Sequence, residues 1–469
     1  MLSADIPSTA NPVNGQPWWR ELTRYHWFVL IVAALAWMAD CMDQQLFVLA
    51  RQPAMAALLP APAIDPNSDE RAQEEAQQSH DADVKEAGGF ATSIFLIGWG
   101  TGGLFFGFLG DMVGRARTMM ITILLYSLFT GLSALSQTVW QFGAFRFLTG
   151  LGVGGEFAVG VSLVAEVMPD RARPFALGLL QALSAIGNIT AALVGMVMGQ
   201  FSHAVTPWRA MFVVGIVPAL LIVVIMRRLK EPEKWRQAAS NTGLGDRFRA
   251  FFTQLFSEKR WARHAIIGML LASSGIIGLW AIGFYSIDLQ RTVFDKHLIA
   301  QGFDPKLEVG LREKWAGMTS IMLNLGAAAG IYAFSYVTHF LGRKPTFAIS
   351  FVLAMVSTAF VFWQFNSVSD IFWMIPIMGF CQLALFGGYA IYFPELFPTR
   401  LRSSGTSFCY NGARFVAAIG PSMLGLLTKH VYHGNDAIRW AGITMCSIFL
   451  VGLLVLPFAP ETKGKPLPE

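Results

Sequence analysis

Apolar runs of about twenty residues recur along the chain, each near the length a helix needs to cross the roughly 30 Å hydrocarbon layer of a bilayer. Six fall at about 26–49, 88–110, 118–135, 140–166, 175–201 and 208–226. Six more follow at about 264–290, 314–338, 346–365, 370–393, 405–427 and 437–458. The pattern predicts an all-α polytopic membrane protein with twelve transmembrane helices in two six-helix bundles. Residues 50–87 interrupt it with a proline-broken segment carrying eight Asp/Glu against Arg51, Arg71 and Lys85, expected to be an external loop with a short surface helix over about 68–85. The predicted units are a tail 1–25, an N-terminal bundle 26–228 that includes loop 50–87, a linker 229–263, a C-terminal bundle 264–458 and a tail 459–469.

Charge sets the orientation. Residues 227–263 hold ten Lys/Arg and four Asp/Glu, the strongest basic excess in the chain, and the positive-inside tendency places them in the cytoplasm. Short loops carrying Arg115 and Arg117, Arg171 and Arg173, Arg343 and Lys344, and Arg400 and Arg402 fall on the same side. An even number of spans on either side of the linker then makes both termini cytoplasmic. The polar residues 1–25 read as a tail and not as a cleaved signal.

Composition narrows the function. With 54% hydrophobic and 14% charged residues, 38 Phe and a mean hydropathy of +0.49, the chain is far from a soluble domain. A pI near 9.0 then reports topology, not nucleic acid. Cys41, Cys381, Cys409 and Cys446 all lie in apolar runs and read as packed thiols, with no disulfide framework, metal site or cofactor expected. No span carries a nucleophile and base at catalytic spacing, and the chain lacks a GxxxxGK[ST] loop. The expected partners are a small-molecule substrate, protons and lipid, and the expected working unit is a monomer.

An internal repeat joins the halves. Gly114-Arg115 recurs as Gly342-Arg343, and Glu166-x-x-Pro169-x-Arg171-x-Arg173 recurs as Glu395-x-x-Pro398-x-Arg400-x-Arg402, at offsets of 228 and 229 residues. A duplicated bundle places its site between the halves, near the midplane.

Ionisable groups inside the spans are costly and normally face a cavity or one another. Asp40 and Asp43 lie in the first span, and Arg146, Glu156 and Glu166 in the glycine-rich fourth. At about 1.5 Å per residue, Asp43 and Arg146 sit roughly 10 Å and 9 Å from the outer ends of their helices, so they can meet. A carboxyl that burial drives neutral and a guanidinium drives charged suits proton coupling, for which Asp43, Arg146 and Asp40 are the candidates. Glu156 either lines the cavity or pairs elsewhere. Arg414 lies about 14 Å into the eleventh span, where its guanidinium can hold a carboxylate through two hydrogen bonds. Candidate substrate neighbours are Asn411, Asn324, Gln382, Trp280, Tyr389, Gln181 and Glu156. Asp111, Arg115, Glu166, Arg173, Arg343, Glu395 and Arg402 cluster at the cytoplasmic helix ends, where they can bridge the bundles when that side is shut.

Several of these elements resemble the major facilitator superfamily, over essentially the whole chain. Gly107-x-x-x-Asp111-x-x-Gly114-Arg115 is similar to its loop signature between the second and third helices, with His339 in place of the acid in the second-half copy. Arg146-x-x-x-Gly150-x-Gly152-x-Gly154 resembles the fourth-helix signature of proton-coupled members. Pro460-Glu461-Thr462-Lys463-Gly464 is similar to the sugar-porter tail. Leu271-Ala272-Ser273-Ser274-Gly275, however, lacks the paired glutamines that hold sugar hydroxyls. Glu395-Leu-Phe-Pro-Thr followed by Arg414 is similar to organic anion transporters, and Asp40-x-x-Asp43 to bacterial aromatic-acid proton symporters. The resemblance implies a secondary transporter that takes up a small organic anion with protons by alternating access; a sugar or polyol carrier is the alternative, and an organic-ion exporter or a non-transporting receptor is a weaker one.

Overall fold

Thr23 opens the first membrane helix. Its hydroxyl accepts from the His26 N–H while the His26 ring accepts from the Thr23 N–H, satisfying two donors that a helix start leaves open. From there the computed structural model is helical almost throughout, and it describes residues 17–60, 70–200, 208–216, 231, 255–303, 309–420, 423, 427, 431–432 and 436–468. The helices are α1 (Arg24–Leu58), α2 (Glu70–Val113), α3 (Arg115–Ser133), α4 (Val139–Val167), α5 (Arg173–Gln200) and α6 (208–216). The second half has α7 (Lys259–Ile277), α8 (Gly283–Ala300), α9 (Val309–Leu341), α10 (Arg343–Gln364), α11 (Met374–Glu395), α12 (Arg402–Ala417), α13 (Ala437–Met445) and α14 (Ile448–Val455).

Ten helices among the described residues are long and apolar enough to cross a membrane. α6 and α12 fall in the sixth and eleventh apolar runs, so each of the twelve predicted runs carries a helix among the described residues, and 217–226 of the sixth run lie outside them. Three predicted boundaries change. The surface helix expected at 68–85 is not separate: from Glu70 it runs into α2 as one helix of 44 residues, because an Ala/Glu/Gln-rich stretch favours helix and Gly88-Gly89 supply no stop. The seventh span turns through a π segment at Gly278–Ile282 and continues as α8, past the expected end at 290. The twelfth breaks between α13 and α14 at Cys446-Ser447. Most of the linker 229–263 and part of the eleventh run, 405–427, lie outside the described residues.

The burial pattern identifies the inner helices. The most apolar window of α4 is 83% buried and that of α11 is 78%, against 44% for α10, so α4 and α11 are central and α10 faces lipid. Glycine lets α4 sit so close: a Cβ on Gly154 would overlap the Trp99 carbonyl of α2. The bundles meet where α2 packs on α12 and where α5 packs on α9. The repeat is visible in the backbone: Gly114 and Gly342, with φ of 121° and 97°, turn the chain immediately before α3 and α10. Each turn points an arginine, Arg115 or Arg343, back under its own half.

Candidate functional site: a buried charge cluster and a cluster at the helix ends

The central cluster begins with Arg146, which α4 holds at 0% exposure. Its guanidinium donates to Ser133 (2.8 Å), Thr149 (3.0 Å) and Thr130 (3.4 Å) and lies over the rings of Phe212, Phe47 and Phe142 at 4.7, 5.5 and 5.9 Å. Asp43 meets it loosely. The nearest approach is 3.8 Å, from Nη1 to Oδ2, and neither atom makes a hydrogen bond, while Asp43 Oδ1 accepts from Thr130 at 2.8 Å. Thr130 therefore bridges the pair, giving its proton to the acid and its lone pair to the base. Thr130 and Ser133 escape sequence reasoning, because hydroxyls in a membrane helix are common and usually bond their own backbone.

One turn along α1, Asp40 is buried, with Oδ2 accepting from Gln44 at 3.2 Å and Oδ1 unpartnered. Arg414 and Glu156 are within its electrostatic reach. Arg414 stacks on Trp99, its guanidinium carbon 3.3 Å from the ring centroid, with Tyr410 at 4.7 Å on another side. Its Nε donates to Asn411 at 3.3 Å, whereas Nη1 and Nη2 are buried with no hydrogen-bond partner. Trp280, in the π segment, meets Trp99 edge to face at 5.6 Å. An arginine fork with two unused donors thus lies among aromatic rings, a chemistry suited to a planar anion. Trp99 and Tyr410 carry no sequence signal beyond being two of many aromatics.

The other predicted substrate residues separate. Asn411 reaches from α12 to the Gly154 carbonyl of α4 at 3.3 Å, tying the bundles behind Arg414. Asn324 accepts from Asn188 of α5 at 2.8 Å, a second link between bundles. Gln382 donates to the Gly278 carbonyl at 2.9 Å, supporting the π segment, and its Oε1 is unpartnered, as is that of the buried Gln181. Tyr389 spends its hydroxyl on the Leu271 carbonyl at 2.7 Å and stacks on Phe393, inside the second half. The four cysteines are buried and free.

The cluster at the helix ends, around the repeated Gly-Arg turns, is built differently. Arg115 donates to the Gly110 carbonyl (2.6 Å), to Glu166 (3.0 Å) and across the bundles to the Thr399 carbonyl (2.9 Å), and it pairs with Asp111 at 2.6 Å. Arg402 donates to Glu166, the Thr399 hydroxyl, the Pro394 carbonyl and the Pro468 carbonyl, each at 3.2 Å. One oxygen of Glu166 thus bridges an arginine of each half. Asp111 accepts from the N–H groups of Ser403 and Ser404 at 3.3 and 2.8 Å, so an acid of the first half caps the α12 helix of the second. Three of the predicted latch residues do not cross. Arg173 binds the Ala165 carbonyl and Asp170 inside the first half, and Arg343 pairs with Glu395 at 2.7 Å inside the second. The repeat also extends beyond its sequence signature: Glu231 accepts from the Ala116 and Arg117 N–H groups at 3.2 and 3.1 Å, and Glu461 from those of Arg343 and Lys344 at 3.0 Å each. Burial opposes the charge on Glu461, but these N–H groups, that of Lys463 and the Arg343 charge outweigh it and hold its carboxyl below the ordinary value.

Comparison with known proteins agrees with this architecture. A family described as "Sugar (and other) transporter" matches residues 61–247, and one described as "Major Facilitator Superfamily" matches 298–469. The cis,cis-muconate transport protein of Acinetobacter baylyi is 30% identical over 81% of this chain and 86% of its own. The niacin transporter NiaP of the same species is 26% identical over 95% and 96%. The structure of the proton:xylose symporter XylE superposes with a TM-score of 0.69 at 18% identity, over 94% of this chain and 98% of that one. On this coverage and identity the chain is a multi-pass membrane transporter, and it belongs to the major facilitator superfamily.

Proposed function

We propose that this transporter takes up a small planar carboxylate, aromatic or conjugated, together with protons, by alternating access. The single observation that carries the reading is Arg414, buried and stacked on Trp99 with both terminal nitrogens unused. A bound carboxylate would supply two charge-assisted hydrogen bonds there, and Trp99, Tyr410 and Trp280 would hold its flat face. The names of two relatives support the class, since muconate is a conjugated dicarboxylate and niacin an aromatic acid. The loose Asp43–Arg146 pair is the coupling site: Asp43 takes a proton when the cavity opens outward and returns to Arg146 after release inward. The charges at the cytoplasmic ends latch the inner side shut, the two bundles being the moving bodies. Both termini lie in the cytoplasm and one chain is the working unit.

A sugar carrier is the second reading, favoured by the sugar-transporter match over 61–247 and by the XylE fold. Against it, Leu271 and Ala272 are buried and apolar where a sugar site needs amides. Uptake of labelled benzoate, niacin, muconate, xylose and glucose into proteoliposomes, with and without an imposed pH gradient, separates the readings. Acid uptake that rises with the gradient is expected, and uptake of sugar alone refutes the carboxylate reading. In D43N the same vesicles should accumulate less acid at a given pH gradient, because the proton that Asp43 carries is lost. Accumulation by D43N equal to that of the wild type, with unchanged pH dependence, would remove Asp43 from coupling.

A further inference from the structure

Glu156 has no part in the exchange just described. It is 1% exposed, and neither carboxyl oxygen has a hydrogen-bond partner. It borders a water-sized cavity of ≈10 Å³, walled also by Trp37, Met119, Phe157 and Leu180. Asp40, with its own unpartnered Oδ1, is its acidic neighbour. The charged and ionisable groups around the two acids are Cys41 and Asp43 from α1, Tyr126 from α3, and Tyr410 and Arg414 from α12. From α5 the wall is Leu180, and from α2 the ring of Trp99 covers Arg414.

The charge count decides what this arrangement can hold. Among the described residues at the centre, Asp40, Asp43 and Glu156 are three buried carboxyls, and Arg146 and Arg414 are two buried guanidiniums. Arg146 serves Asp43, and Arg414 is the cation within electrostatic reach of Asp40. Glu156 is the surplus, and a buried, unsolvated carboxylate with no counter-charge costs several kcal/mol, which a proton removes.

We propose that Asp40 and Glu156 form a second proton-binding site, separate from Asp43: Glu156 keeps a proton in the empty carrier, and a substrate carboxylate arriving at Arg414 brings a further proton onto Asp40. The inference rests on Arg414 as the carboxylate anchor. The substrate carboxylate takes over as the counter-charge of Arg414, whose attraction had favoured the charged form of Asp40, and the Asp40 carboxylate then takes a proton from a hydronium ion on the open side, whose O–H bond breaks to leave water. That proton leaves with the substrate on the other side, while the one on Glu156 stays. Together with the proton on Asp43, a monocarboxylate then travels with two protons, so its transport carries net positive charge inward.

Two measurements test this on the full chain. Infrared spectroscopy of the ligand-free protein at neutral pH should show the carbonyl stretch of a protonated carboxyl group, present in D43N and absent in E156Q. In proteoliposomes, the reversal potential for labelled benzoate should give two protons per substrate in the wild type and one in D40N, with the response to an inside-negative potential lost. An infrared band unchanged in E156Q, or a ratio unchanged in D40N, overturns the proposal. If the wild type binds none of the acids, the carboxylate reading fails instead, and the infrared arm still decides whether Glu156 holds a proton.

Discussion

The two charge clusters use the same residue types in opposite ways. At the helix ends that carry the repeat, Arg115 and Arg402 each make three or four hydrogen bonds, and Glu166 and Asp111 fasten one half to the other. In the centre, Arg414, Glu156, Asp40 and the facing edges of Asp43 and Arg146 are equally buried, yet lack partners for many of their polar atoms. A network in which each charged group has several partners holds one conformation, even with Arg115 Nε and one Glu166 oxygen left over. An unsatisfied one is unstable alone and gains most from whatever enters it. On the function proposed above, this contrast would have the first cluster set the state of the carrier and the second read its cargo.

Removing Glu166 should break the contrast most sharply. Taking away one partner of a buried ion pair costs about 3–5 kcal/mol, and here the cost falls on the closed inner side while sparing an opened, solvated one. E166Q should therefore shift the population inward-open by on the order of 100-fold or more. Accessibility of a cysteine placed on the inner face of α5 to a membrane-impermeant thiol reagent, in inside-out vesicles, reads the shift. The selectivity among acids should stay as in the wild type; if it changed instead, Glu166 would belong to the cargo site.

Arg414 tests the other side of the comparison. R414K keeps the charge and loses the two-pronged geometry, which at about 1.5–3 kcal/mol for hydrogen bonds to a charged group predicts a 10- to 100-fold loss of carboxylate binding. The inner-face accessibility should be unchanged without substrate. Isothermal titration of benzoate measures the first and the same cysteine assay the second. Equal affinity in R414K would show that the arginine serves packing, as its stacking on Trp99 alone would allow.

The latch was legible in the sequence to a greater degree than the site, for a physical reason. Arg115, Glu166 and Arg402 recur at one offset with glycine and proline markers, because helix ends impose turn residues that leave a trace. Which of them cross between halves left none. His339 takes the place of a second Asp111 and packs on Phe175 at 5.1 Å instead of capping α5, so the junction of α5 with α9 lacks the acid cap that α2 gives α12. In the centre, hydropathy and helical rise brought Asp43 to Arg146 correctly, since both depth and sign are one-dimensional facts. The box around Arg414 was not readable, because Trp99 comes from another half and Tyr410 is one aromatic among many. Tyr389 and Gln382 looked equivalent to Asn411 by depth, and only the packing separates backbone supports from groups beside the guanidinium.

The smallest expected effect concerns the tail, and it refines the idea that satisfied networks set the state. Glu461 caps α10 as Glu231 caps α3, but Glu461 also holds a chain end whose Thr462 donates to Glu395 at 2.6 Å. Its carboxyl is held below the ordinary carboxylate value, so its contribution is fully present above that value and is lost as pH falls through the lowered one. At neutral pH, E461Q should cost about 0.5–1 kcal/mol, the worth of a helix cap, seen as a small drop in the melting temperature of the detergent-solubilised protein. Below the ordinary carboxylate range the wild type should converge on the variant, because its own Glu461 is then neutral. A constant difference across that range would mean that the carboxylate charge contributes nothing and that shape alone holds the tail.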